Sequence, residues 1–238
     1  RVRSSAASDV YKRQTLLYAL AWAFITSFKD QFEYMKDKNG LPDVWHFDNY
    51  LTAIKSVSVN DHGMLAMLIN SLWYAGGGAV LGTLVSSMVA YVVAKYRFPG
   101  RNVLYTVALL TMMLPIVGAM PSQYKVYTTL GIINSPFMLL SLAGGFGFNF
   151  VVLYSYFKSL PWSYAEAGFL DGASHLTVFM KIMLPQAINV MGALLIVAGI
   201  GLWNDYMAPI LFLRDFPTLS AVSYTHLTLP TTYACRSR

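Results

Sequence analysis

Twenty-nine consecutive residues, Ala66 to Ala94, carry no charged side chain. A helix needs about 20 apolar residues to cross ~30 Å of hydrocarbon, so this run is long enough to span a bilayer with tilt. The composition points the same way: 56% of the 238 residues are hydrophobic, 12% are charged, and the mean hydropathy is +0.49. Such a chain is too apolar for an ordinary soluble domain, and an all-α polytopic membrane protein is expected.

The net charge of +6 at first suggests a nucleic-acid or lipid partner, so the placement of the charges matters. Arg1, Arg3, Lys12, Arg13, Arg236 and Arg238 lie at the extreme ends, with Asp9 as the one acid there. Between the ends, basic and acidic residues nearly balance, and nucleic acid is not an expected partner. The end segments SSAASDVYKRQ and VSYTHLTLPTTYACRSR resemble translated sequencing-adapter runs, so residues 1–14 and 222–238 are set apart from the domain expected over 15–221. Cys235 falls in the second of these, which leaves neither a disulfide framework nor a cysteine metal site to expect.

Thr15 to Phe28 is apolar but short and fits the outer end of a first, partial spanning helix. The polar stretch from Lys29 to Met64 reads as an extramembrane loop with a short interfacial helix near Asn49 to Ser56. Within the uncharged run, Gly78, Gly82, Ser86 and Ala90 recur every fourth residue. Such a ridge of small side chains lets two backbones approach closely in lipid, so this face is expected to meet another helix. KYRFPGR, Lys95 to Arg101, is a short basic turn of the kind that favours the cytoplasmic side.

Further spans are expected over Val103 to Met120, Pro136 to Phe157 and Ala187 to Leu202; a sixth would follow Ser220, where the adapter-like tail stands in its place. Pro115 would kink the third and Pro121 would close it, leaving Ser122 to Ser135 as a short outer connection. The kink could line a pathway or be purely architectural. Gly144, Gly145 and Gly147 weaken the fourth span beside Asn149.

Between the fourth and fifth spans lies the polar insert YAEAGFLDGASHLTVFMKIMLPQAIN, Tyr164 to Asn189. Ser163 and Glu166 have the spacing of a capping box, Gly172 can end the first helix, and Pro185 marks a bend back toward the membrane. From His175 to Met183 the residues Leu176, Phe179, Ile182 and Met183 fall on one helical stripe. A helix, turn and helix with a projecting corner is expected.

The order Glu166, Ala167, Asp171, Gly172, Ala173, Phe179, Ile182, Leu184, Pro185 resembles the EAA loop of binding-protein-dependent ABC importer permeases. NSLWYAG from Asn70, AYVVAKYRFPGR from Ala90, FNFVVLYSYFKSLP from Phe148 and WNDYMAPILFL from Trp203 are similar to its carbohydrate-uptake, maltose-type branch, second-subunit type. Two positions depart from the pattern: Gly168 stands where alanine is usual, and Asn189 where a second proline often follows.

The resemblance implies a type I importer transmembrane domain with about five of six helices present, in the bacterial inner membrane. Loop residues 158–186 would dock on a separate ATPase. Glu166, Ala167, Gly168, Asp171, Gly172 and Ala173 would form the leading helix and its turn, and Phe179, Ile182, Leu184 and Pro185 would fix the loop to the membrane core. It also implies as partners a second permease subunit, two ATPase subunits that use ATP and Mg, and an extracytoplasmic solute-binding protein, all in a setting of membrane lipid. Asn70, Tyr74 and Asn149 could contact a sugar or related polyol, or could equally be packing residues.

No GxxxxGK[ST], H-E-x-x-H, C-x-x-C or G-x-S-x-G pattern occurs, so no catalytic residue, metal site or cofactor is expected in this chain. His46, His62 and His175 are isolated, and His226 lies in the adapter-like tail. The alternative class is an ATPase-independent secondary transporter or channel, which would be favoured by paired charges or inverted repeats in the membrane.

Overall fold

The computed structural model describes residues 2–56, 58–59, 62–113 and 118–225, and these are largely helical. The chain divides into two units, residues 1–64 and 65–238. In the first, α1 (Val2–Thr26) is followed by α2 (Gln31–Lys36) and α3 (Asp48–Ser56), the last where the interfacial helix was expected. The loop is organised by Phe28, which is buried with the rings of Phe24, Trp45, Phe47 and Tyr50 at 5.1–5.4 Å. Asn49 Nδ2 donates to the carbonyls of Ser27 and Lys29 at 3.1 Å each, which ties α3 back to the end of α1. Backbone amides of Gly40 and Asn39 donate to the Asp37 carboxylate and hold its carboxyl below the ordinary range. A two-residue hairpin closes the unit, β1 (Ser58–Val59) pairing antiparallel with β2 (His62–Gly63).

The second unit is built on α4 (Met64–Lys95), an apolar helix of 32 residues. At ~1.5 Å per residue it extends ~48 Å, more than a hydrocarbon core requires. One turn, Trp73–Gly77, is widened to π geometry. Then come α5 (Arg101–Met113), α6 (Ala119–Leu130), a 3-10 segment Pro136–Leu142 and α7 (Phe148–Ser159). The chain continues through α8 (Ser163–Leu170), α9 (His175–Gln186), α10 (Ile188–Asn204) and α11 (Met207–Phe212).

The ridge on α4 is used within the chain itself. A Cβ on Gly78 would lie 2.6 Å from Leu142 Cδ1 and 2.9 Å from Leu202 Cδ1, and one on Gly82 would lie 3.0 Å from the Leu142 carbonyl oxygen. Ser86 Oγ donates to the Gly144 carbonyl at 3.1 Å. The small residues thus admit the 3-10 segment and α10 against α4, while Ala90, Phe150, Leu153 and Phe157 are buried between α4 and α7.

Several expected spans are corrected. The third ends as α5 at Met113; Pro115 lies outside the described residues. Where a short outer connection was expected at Ser122 to Ser135, α6 forms instead. Pro121 sits in its first turn, where a missing amide costs no intrahelical bond. The fourth span is broken in two between Leu142 and Phe148, with Gly147 at φ +129°, a conformation glycine adopts without strain. The fifth, α10, lies within two residues of expectation. Among the described residues one helix, α4, is long and apolar enough to cross a membrane; α9 and α10, bent by 77° to one another, reach that length and hydropathy only when taken together.

Candidate functional site: the α8–α9 corner

The corner begins at Pro161 and Trp162. The Trp162 carbonyl accepts from the amides of Ala165 (2.9 Å) and Glu166 (3.2 Å), so Trp162 takes the cap position and Ser163 is the first helical residue. The capping box expected from Ser163 and Glu166 is therefore not formed. The helix starts one residue early because the turn after Pro161 already supplies a carbonyl in register.

Its end follows the pattern that glycine allows. Gly172, at φ +77°, donates to Phe169 O at 3.0 Å, and Ala173 donates to Gly168 O at 3.0 Å. These two bonds are the paired closure of a Schellman turn. Ser174 Oγ then accepts from Thr177 N at 3.3 Å and caps α9. Within α9 the turn Phe179–Met183 is π-type. Pro185 has no amide to give Lys181, and a widened turn just before it lets the helix continue through the proline. The change of direction comes at Ala187, two residues after the proline expected to mark it.

The base of the corner is apolar and closed. Ala165, Val178 and Met183 are fully buried and Phe179 nearly so, whereas Leu176, expected on the buried stripe, is 66% exposed. The stripe is centred on Val178 because α9 faces Gly168 of α8. A Cβ there would lie 2.6 Å from Ile182 Cδ1 and 3.1 Å from Val178 Cγ2. Gly168, which stands where alanine is usual, lacks the side chain that would hold the two helices apart. Ile182 and Leu184 are half-buried and Pro185 is exposed.

An aromatic bracket joins this base to the turn after α4. The Tyr96 ring meets His175 at 5.5 Å and Trp162 at 5.9 Å, and Phe169 meets His175 at 4.8 Å. The Tyr96 hydroxyl is 2.8 Å from His175 Nδ1. Lys95 Nζ donates to Leu160 O, and Tyr91 packs on Phe179 at 5.0 Å. Sequence reasoning missed Tyr96, Trp162 and His175 as a group; only the aromatic content of the two turns hinted at it. At the tip, Glu166, Ala167, Asp171 and Gly172 are exposed, with Leu170 at 88%. Ala173 is half-buried.

Asn70, Tyr74 and Asn149 are not brought together. Asn70 Nδ2 donates to Pro217 O at 3.2 Å, and the buried Tyr74 donates its hydroxyl proton to Asp205 Oδ2 at 2.9 Å. Asn149 Nδ2 donates to Thr83 Oγ1 at 3.3 Å and lines a cavity of about 370 Å³ with Gly82, Phe146, Phe148 and Leu202. Among the described residues no cluster of three or more His, Cys, Asp or Glu is placed to hold a metal.

A family model described as binding-protein-dependent transport system inner membrane component matches residues 78–231, α4 through the corner and beyond. The chain belongs to this family. It is thus a transport component of a membrane. The permease is 31% identical over 202 residues to the diacetylchitobiose uptake system permease protein NgcG of Streptomyces coelicolor, covering 84% of this chain and 65% of that protein. It is 28% identical to the sn-glycerol-3-phosphate transport system permease protein UgpE of Salmonella typhi, covering 87% of this chain and 75% of the relative. The arabinooligosaccharides transport system permease protein AraQ of Bacillus subtilis is 29% identical over 73% of the permease and 60% of its own length. The permease therefore spans about two-thirds of the length of such relatives. Its fold matches a solved bacterial ABC transporter involved in the import of the acidic polysaccharide alginate, with TM-score 0.77 at 21% identity over 94% of this chain and 78% of that one. The all-α fold of an ABC importer permease is the fold of this chain.

Proposed function

We propose that the chain is a permease subunit of an ATP-driven, binding-protein-dependent importer for a sugar or related polyol, and that the α8–α9 corner couples it to a separate ATPase. The observation that carries this is the division of the corner into an exposed tip, made by Glu166, Ala167, Leu170, Asp171 and Gly172, and a base locked to α4 by the aromatic bracket. An element that transmits displacement must be stiff at its root and free at its tip. Two capped helices with close contact at Gly168 meet that requirement. ATP and Mg would be bound by the partner, and movement of the corner would rock α4 and α10 to open the pathway alternately to each side.

The solute class rests on the relatives, whose names specify diacetylchitobiose uptake and arabinooligosaccharide and sn-glycerol-3-phosphate transport. Of the three pathway candidates, Asn149 is the best placed, on the cavity wall; Tyr74 and Asn70 are engaged in packing. A second permease, two ATPases and a solute-binding protein complete the proposed assembly in the bacterial inner membrane.

The test is capture of the cognate ATPase by the full-length permease, comparing the unaltered protein with Glu166→Ala and Gly172→Pro. Capture by the former and loss of capture or of coupled uptake in the variants is expected. If the unaltered protein captures no ATPase, or both substitutions are silent, an ATPase-independent transporter takes its place.

A further inference from the structure

The cavity beside Asn149 lies between the middle of α4, the break before α7 and α10, and its wall includes Gly82, Ser86, Phe146, Phe148, Asn149 and Leu202. At about 370 Å³ it falls at the small end of the ~300–1,000 Å³ usual for ligand sites, which suits a short glycan and not a long chain. Every residue on the wall is uncharged.

Two kinds of group meet there. Phe146 and Phe148 are half-exposed, and the negative face of an aromatic ring suits the C–H face of a sugar. Thr83 Oγ1 takes one of the several hydrogen bonds that the Asn149 amide can make, and the Ser86 hydroxyl, which donates to the Gly144 carbonyl, can still accept. The hydroxyl groups of a neutral glycan match such uncharged donors and acceptors.

An anion is a poor match. Taking a phosphate or carboxylate out of water without a countercharge is costly, and more so near the middle of a spanning helix than at its end. The cavity does meet the start of α7, where the cap Gly147 brings no side chain. One helix terminus returns only a small part of that cost. The carboxylate that follows α10, Asp205, accepts from Tyr74 one turn before Gly78 on the cavity wall, and its sign opposes an anion further.

We infer that this cavity takes a short neutral glycan and discriminates against uronate and phosphate sugars, with Phe148 stacking on a sugar ring and Asn149 bonding its hydroxyl groups. The inference rests on the importer reading above and narrows its solute class to uncharged saccharides.

The test is saturation-transfer NMR on the full-length permease, purified in detergent with its partner subunits and without ATP. The probes are neutral disaccharides of glucose, xylose, arabinose and N-acetylglucosamine, set against digalacturonate and glucose 6-phosphate. Transfer to at least one neutral disaccharide and to neither anion is expected, with affinity falling about fivefold in Asn149→Ala. Phe148→Ala, at a half-exposed position, should also lower it with the melting temperature unchanged, and Phe148→Tyr, which keeps the ring, should retain it. Transfer to the anions at or above that to the neutral sugars, transfer to no neutral sugar, or indifference to both Asn149→Ala and Phe148→Ala would overturn the inference. ATPase capture is read on the same preparation. Capture with a preference for the anions would sink this inference alone, whereas sugar transfer without capture would uphold it and sink the coupling reading.

Discussion

Asp205 holds two elements at once. Its Oδ2 accepts the Tyr74 hydroxyl proton, and its Oδ1 accepts the amides of Met207 (3.0 Å) and Ala208 (3.2 Å) at the start of α11. Tyr74→Phe removes one acceptor contact and should cost about 1 kcal/mol, whereas Asp205→Ala also uncaps α11 and leaves the buried phenol unpaired, costing about 2–3 kcal/mol. Thermal unfolding in detergent should show that order. Equal effects would mean that the phenol is not the partner that matters. Tyr74 also shows what residue type alone leaves open: an aromatic hydroxyl in a span suits a polyol, yet a carboxylate 131 positions later takes it up.

At the scale of elements, contact geometry decides which glycines are needed. A Cβ at Gly82 meets backbone, the Leu142 carbonyl, whereas a Cβ at Gly76 or Gly192 meets nothing within 4 Å. Gly82→Val should therefore push α4 from the 3-10 segment and cost about 2 kcal/mol or more. Gly76→Ala should be neutral or stabilise by about 0.5–1 kcal/mol. The same detergent melts, run side by side, check this; similar losses at both positions would show that the ridge is not a packing surface. The every-fourth-residue pattern was legible in the sequence because helical periodicity is local. Its partner was not, because Leu142 and Leu202 come from a broken span and from the fifth helix. The break itself was signalled by Gly144, Gly145 and Gly147, but glycine permits a break without requiring one.

For the whole molecule, the proposed coupling depends on the bracket between the α4–α5 turn and the corner. Tyr96→Ala removes the ring contacts with Trp162 and His175 and the hydroxyl bond to the imidazole. It leaves the exposed tip intact. ATPase capture should persist while solute uptake in reconstituted vesicles falls several-fold. Uptake at the unaltered rate would show that force reaches α4 by another route, such as α9 into α10.

Local chemistry alone determined much of this protein. The uncharged run made α4, Gly172 ended α8, and the order of residues from Glu166 to Pro185 marked the family, because length, φ preference and motif spacing act over a few residues. Tertiary structure decided the rest. It set Val178 rather than Leu176 at the buried face, made Gly168 a point of contact, moved the bend to Ala187 and built the bracket from Tyr96, Trp162 and His175. Each of these depends on which surface arrives from elsewhere in the chain, and no spacing within one segment encodes that.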